Sequence, residues 1–166
     1  MRLLARLPVS LLAVTLLAIT LVGLVGCKPA LIPGSQIEDT DENRKVLEFL
    51  TRYQRSVQER NVDGIVALCA ADYYEDNGNT DASDDYSLDG LKKRLTESFG
   101  KTKELQLDVF VQLVDRTNQD KIAVAYRYNT KALVAFPAGD KWVTATEVNR
   151  IVLRPVDGDF RIVSGL

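Results

Sequence analysis

The chain has 166 residues, 46% apolar and 27% charged, a length and balance that point to one globular domain. Its 21 Lys and Arg against 23 Asp and Glu leave no surplus for the concentrated basic face that nucleic acid requires, so no nucleic-acid partner is expected. It contains no histidine, which removes the commonest general base and the commonest transition-metal ligand together; no metal and no cofactor are expected.

The first 26 residues form a unit of their own. Arg2 and Arg6 make a basic start, Leu7 to Gly26 carries no charged side chain, and small residues lead to Cys27. Basic, apolar and small-residue regions in that order predict a secretory signal. An uncleaved spanning helix is the alternative at this length. Against it, no Trp or Tyr borders the run and Pro8 lies near its start. The closing Leu24-Val25-Gly26-Cys27 resembles the lipobox of bacterial lipoproteins. That resemblance implies cleavage between Gly26 and Cys27, acylation of Cys27, and a protein held on a membrane by N-terminal acyl chains such as palmitate. Several chains hold stably where one holds only marginally. In proteobacterial lipoproteins an aspartate after the cysteine retains the protein at the inner membrane. Lys28 in its place implies the outer membrane, facing the periplasm or the cell surface. Cleavage also removes Arg2 and Arg6 but no acid, leaving 140 residues and 19 basic against 23 acidic side chains. An acylated Cys27 leaves Cys69 without a disulfide partner, and its apolar neighbours Ile65 to Ala70 make it a small core residue.

Residues 27–40 read as the acylated N-terminus and a tether, since Pro29, Pro33, Gly34 and Ser35 interrupt any apolar period. The folded domain is expected over 41–166. Asp39 with Glu42 resembles a capping box, and Val46, Leu50, Tyr53 and Val57 recur at helical spacing, widened by Leu47 and Phe49. This predicts a helix from about Asp41 to Arg60. Asn61 or Asp63 can cap a shorter second helix facing inward through Ile65, Leu68, Cys69 and Tyr73. Glu75 to Asp85 is a polar loop whose spacing fails the calcium-loop pattern at both its first and last ligand positions. Ser87 is placed to cap a third helix carrying Leu88, Leu91, Leu95 and Phe99, ending at Gly100. The Lys92-Lys93-Arg94 run reads as its wet face.

After Gly100 the period becomes two. Leu105 to Val114 alternates, a polar turn spans Asp115 to Lys121, and Ile122 to Asn129 alternates again. Pro137 to Asp140 makes a turn, a strand runs from Trp142 to Arg154, and Asp157-Gly158 is a tight hairpin signal before Phe160 to Val163. Helices first and long strands last predict an α+β domain.

This element order, with Tyr86-Ser87-Leu88-Asp89-Gly90-Leu91 opening the third helix and Asp157-Gly158-Asp159-Phe160-Arg161-Ile162 closing the sheet, resembles the nuclear transport factor 2-like superfamily, its SnoaL-like branch above all. The similarity covers residues 41 to 164, with Phe160 at a position where such proteins often place Trp. It implies a cone-shaped fold: three N-terminal helices packed on a strongly curved antiparallel sheet of about four strands, with a pocket on the concave side. It also implies a possible homodimer through the exposed sheet face. One such fold serves isomerases, dehydratases, ligand carriers and interaction modules alike.

Candidate pocket residues follow from strand parity. Val143, Ala145, Glu147, Asn149, Ile151 and Leu153 share a face, so Glu147 and Asn149 are polar interruptions of an apolar row. They either line a pocket, with Glu147 as ligand-binding group or base, or escape to solvent or to Arg127 and Arg150. Tyr126 and Tyr128 share a side with Ile122 and Val124, and with Tyr73, Tyr74 and Trp142 they make an aromatic pocket wall or a packed core. Asp72 and Tyr126 supply the residue types of an isomerase's base and oxyanion partner, although no local motif joins them. The His–Asp pair of dehydratases is excluded. The expectation is a non-catalytic module binding a small apolar ligand or a protein partner. The alternative is a small isomerase- or dehydratase-like enzyme using Glu147 or Asp72. A closed apolar cavity around a desolvated carboxylate would favour the enzyme, and a filled core the binding module.

Overall fold

A computed structural model describes residues 29–117 and 120–166. Gly26, Cys27 and Lys28, on which the expectation of a lipid anchor rests, lie outside the described residues. Among the described residues, no helix is long and apolar enough to cross a membrane.

The stretch read as a tether is a closed turn from Leu31 onward. Leu31 bridges Glu38, Ile32 N–H donates to Ile37 O at 2.9 Å, and the Ser35 hydroxyl donates to Ile32 O at 2.9 Å. Ile37, 4% exposed, pins the turn to the domain; burying one such side chain contributes about 1.5–3 kcal/mol.

Helix α1 spans Asp41–Gln58. Its cap differs from the expected box: Thr40 Oγ1 accepts from Asn43 N–H at 3.1 Å. Asp39 instead pairs with Arg44, Nη2 to Oδ2 at 2.7 Å. Both acids and a hydroxyl suit this end, and the extended backbone of Thr40 settles which one caps. Helix α2 spans Val62–Leu68, capped by Asn61 Oδ1 on Gly64 N–H at 2.8 Å. Two-residue strands β1 (Tyr74–Glu75) and β2 (Tyr86–Ser87) then close the polar loop, and α3 follows over Leu88–Lys101. Ser87 stands at its N-cap, but its hydroxyl makes no capping bond.

The main sheet is antiparallel in the order β3-β4-β5-β6, formed by Thr102–Arg116, Ile122–Val134, Lys141–Val156 and Asp159–Ser164. Asp157 and Gly158, with φ of 50° and 80°, form the two-residue turn that pairs Val156 with Asp159. Register shifts between Val111 and Leu113 and between Val152 and Leu153 add twist to the sheet. Edge strand β3 is covered by α1: Gln54 and Gln58 both donate through Nε2 to Leu107 O, at 2.7 and 2.9 Å, and Arg60 Nη1 donates to Thr102 O.

The helices pack on one face of this sheet. Val46, Phe49 and Leu50 of α1 join Ile122, Val124, Ile151, Leu153, Phe160 and Ile162 in one buried cluster. Phe49 meets Phe160 edge to face, ring centres 6.0 Å apart at 82°. Cys69 belongs to the same cluster, and burial pushes its thiol up to about 12.

Two outcomes follow. Phe49→Ala should cost about 3–5 kcal/mol in chemical denaturation, because it removes a fully buried ring and its partner's edge contact. The folded chain should leave Cys69 unmodified by a thiol alkylating agent at mildly alkaline pH, with reaction appearing only as denaturant unfolds it.

Candidate functional site

Strand pairing sets the chemistry of the concave face row by row. Ile122 opposes Leu153 and Val124 opposes Ile151, both rows buried and apolar. The next row sets Val111, Tyr126 and Asn149 side by side, and the one after it Val109, Tyr128 and Glu147. The face therefore turns from apolar to polar along the strands, as the parity of β5 predicts.

The polar rows are hydrogen-bonded in sequence. The hydroxyls of Tyr53, from α1, and Tyr126 bond to each other. Asn149 Nδ2 donates to Tyr126 Oη at 3.3 Å and to Gly165 O at 3.1 Å, while its Oδ1 accepts from Arg150 N–H at 2.7 Å. Tyr128 donates to Glu147 Oε2 at 2.6 Å. Burial raises all three phenols. It lifts Tyr53 well above its ordinary value, and it lifts Tyr126 even though bonds from Tyr53 and Asn149 oppose it. Tyr128 reaches about 12, through burial first and then the bond to and charge of Glu147.

The tail of β6 closes this end. Gly165 N–H donates to Glu75 Oε2, and Tyr86 donates to Leu166 O. Tyr73 donates to that same oxygen at 3.1 Å and accepts from Leu166 N–H at 3.1 Å. Outside the tail, Glu75, Tyr86, Tyr128, Glu147 and Asn149 line a cleft of about 340 Å³. No buried side-chain nitrogen or oxygen among the described residues lacks a partner.

Five predicted site residues thus meet around one end of the sheet: Tyr73, Tyr126, Tyr128, Glu147 and Asn149. Two do not. Asp72 is exposed and held by Arg154, Nη1 to Oδ2 at 3.0 Å, which keeps its carboxyl below the usual range. It borders a separate cleft with Tyr74 and Lys121. Trp142 pairs with Leu133 on the outer face, 51% exposed, with Lys131 Nζ 4.7 Å from its ring centre. Sequence reasoning passed over Tyr53, Glu75, Tyr86, Gly165 and Leu166. Tyr53 sits within an apolar helical stripe, and the others meet only through tertiary contacts.

Chemically, the cluster is built to hold hydrogen bonds. Its phenols keep their protons through the neutral range, and its one central carboxylate, Glu147, is exposed rather than desolvated.

No family model matches the chain, and no curated protein matches it. Solved structures share its fold. A ketosteroid isomerase-like protein from Erwinia carotovora atroseptica superposes with a TM-score of 0.62 at 14% identity, over 76% of this chain and 95% of that one. A scytalone dehydratase-like protein from Novosphingobium aromaticivorans gives 0.60 at 13%, over 75% and 80%. A calcium/calmodulin-dependent protein kinase II association domain-like protein from Xanthomonas campestris gives 0.60 at 16%, over 83% and 91%. The chain thus has the α+β cone fold of nuclear transport factor 2-like proteins.

Glu147→Gln should lower the Tyr128 titration toward the ordinary phenol value, read by tyrosinate absorbance, and change stability at neutral pH by less than about 1 kcal/mol. Because folding raises this phenol, its contribution to stability is complete below pH 10.0 and is lost as pH climbs toward about 12. Denaturation midpoints across that window should fall less steeply in the variant.

Proposed function

We propose that the protein is an extracytoplasmic lipoprotein whose cone domain is a non-catalytic binding module. The observation that carries this reading is the filled concave face. Side chains of α1 and α3, with Cys69 just after α2, pack against the buried rows of the sheet, and the carboxylate at the mouth stands in solvent. General acid–base chemistry is most efficient when the group's proton affinity is matched to the working pH, which for a carboxyl is favoured by a dry site. The polar lining of the cleft also favours an occupant with hydrogen-bonding groups over an apolar one.

The enzyme alternative draws on the names of two neighbours, an isomerase-like and a dehydratase-like protein. A third neighbour is named for association. At these identities the likeness carries the fold alone, so the choice rests on the site. The exposure of Glu147 and the ion pair of Asp72 weigh against either as a base.

Anchorage rests on the basic, apolar and small-residue order ending at Cys27. Cys27 is four residues from Leu31, where the packed turn begins, and four extended residues reach about 14 Å. An acylated chain would therefore hold its domain against the bilayer surface. The second expected partner is another copy of the chain, docking through the outer face of the sheet. Phe110, Arg127 and Val148 form one register row there, with Leu113 and Trp142 on the same face. Val148 is 65% exposed, and exposed apolar side chains on one face mark an association surface.

Cys27→Ser should move the protein from the membrane fraction to the soluble fraction and block processing; unchanged retention would point to a spanning helix. Val148→Glu should convert a dimer to a monomer in sedimentation velocity, with the circular dichroism spectrum unchanged. A wild-type chain that sediments as a monomer at tens of micromolar would remove the dimer from this reading.

A further inference from the structure

The last two residues of the chain are held as a receptor holds a peptide. Gly165 N–H donates to Glu75 and Gly165 O accepts from Asn149 at 3.1 Å. Leu166 N–H donates to the Tyr73 hydroxyl at 3.1 Å, and Leu166 O accepts from Tyr73 and Tyr86. All four main-chain groups are thus met by side chains, drawn from β1, β2, β5 and the turn before β1. A strand ladder would meet them with backbone instead and would be indifferent to which residues it paired.

The cradle also selects. Gly165 has φ of +99°, and a Cβ there would lie 2.2 Å from Arg150 O and 2.7 Å from Ile151 Cα. Only glycine fits, for its conformation and for the close backbone approach together. The residue after it is apolar by the same logic, since the Leu166 side chain packs against the buried cluster. The cleft of about 340 Å³ continues beyond the tail past Tyr128 and Glu147.

We propose that this cradle, which the cleft adjoins, is a recognition site for peptide with glycine followed by a large apolar residue, occupied in cis by Gly165-Leu166. The inference rests on the binding-module reading and names the chemistry of its ligand. In cis, the tail competes at the high effective concentration of a tethered group, so a free peptide gains the site only when the tail leaves. Removing the tail exposes two phenol hydroxyls, one carboxylate and one amide already aimed at a common segment.

The test compares the full chain with a chain ending at Ser164, each titrated with synthetic Gly-Leu, the two residues whose places the shortening vacates, and followed by tyrosine fluorescence and amide NMR. The shortened chain should bind saturably, and the full chain at least ten-fold more weakly. Ala-Leu should not bind, and Asn149→Ala in the shortened chain should weaken binding several-fold. A folded shortened chain that shows no saturable binding overturns the proposal, as does equal binding to both chains. Should the shortened chain fail to fold, Gly165→Ala in the full chain expels the tail at unchanged length, and it must then bind the peptide for the proposal to stand. None of these outcomes touches membrane release or sedimentation, so failure of the peptide site is separable from failure of the broader reading.

Discussion

A curved sheet has a concave side that must be filled, and here α1 fills it. Val46, Phe49 and Leu50 sit against Ile122, Val124, Ile151 and Leu153, and the edge-to-face contact of Phe49 with Phe160 locks the helix to the last strand. Close packing leaves such an interior no spare volume. Everything distinctive about the site follows from where this filling stops. Beyond the second buried row the helix offers Tyr53 instead of an aliphatic side chain. The strands answer with Tyr126 and Asn149, so polar groups pair with one another at the margin of the core.

That margin is stable because each buried side-chain nitrogen and oxygen among the described residues has a partner, and the contrast with the surface is instructive. Pairs such as Arg52–Asp159, Lys92–Asp63 and Arg154–Asp72 are exposed, and each contributes little in water. The Tyr53–Tyr126–Asn149 chain is shielded, so removing Tyr126 takes a partner from both its neighbours, although Asn149 keeps its bonds to Gly165 and Arg150. Order at the mouth of the cone thus rests on hydrogen bonds, two of them accepted by the carboxylates of Glu147 and Glu75, more than on ion pairs.

The sequence made the strands legible because period-two alternation is a local property. Parity put Glu147 with Asn149 on one face of their strand and Tyr126 with Tyr128 on one face of theirs, but only the register between the two strands brings the four together; the same parity puts Trp142 on the face opposite Glu147, a consequence the aromatic-wall reading did not follow through. The hairpin at Asp157-Gly158 was equally legible, since its two positive φ values need the residues found there. Less was readable where choice depends on three dimensions. Thr40 and Asp39 are both good caps, and only the entry of the chain decides between them. Ile37 looks like one apolar residue in a polar stretch, yet it pins a whole turn. Gly165 carries no local signal at all, because the clash that demands glycine comes from Arg150, fifteen positions earlier on another strand.

The cover over strand β3 has a consequence for assembly. An outermost strand normally offers free carbonyls and amides to any neighbour, which is how sheets merge into continuous ribbons and fibres. Two glutamine amides and an arginine from the helical layer already satisfy carbonyls at Leu107 and Thr102. The border is blunted over that half of the strand, so copies crowded together there are steered away from fusing their sheets edge to edge.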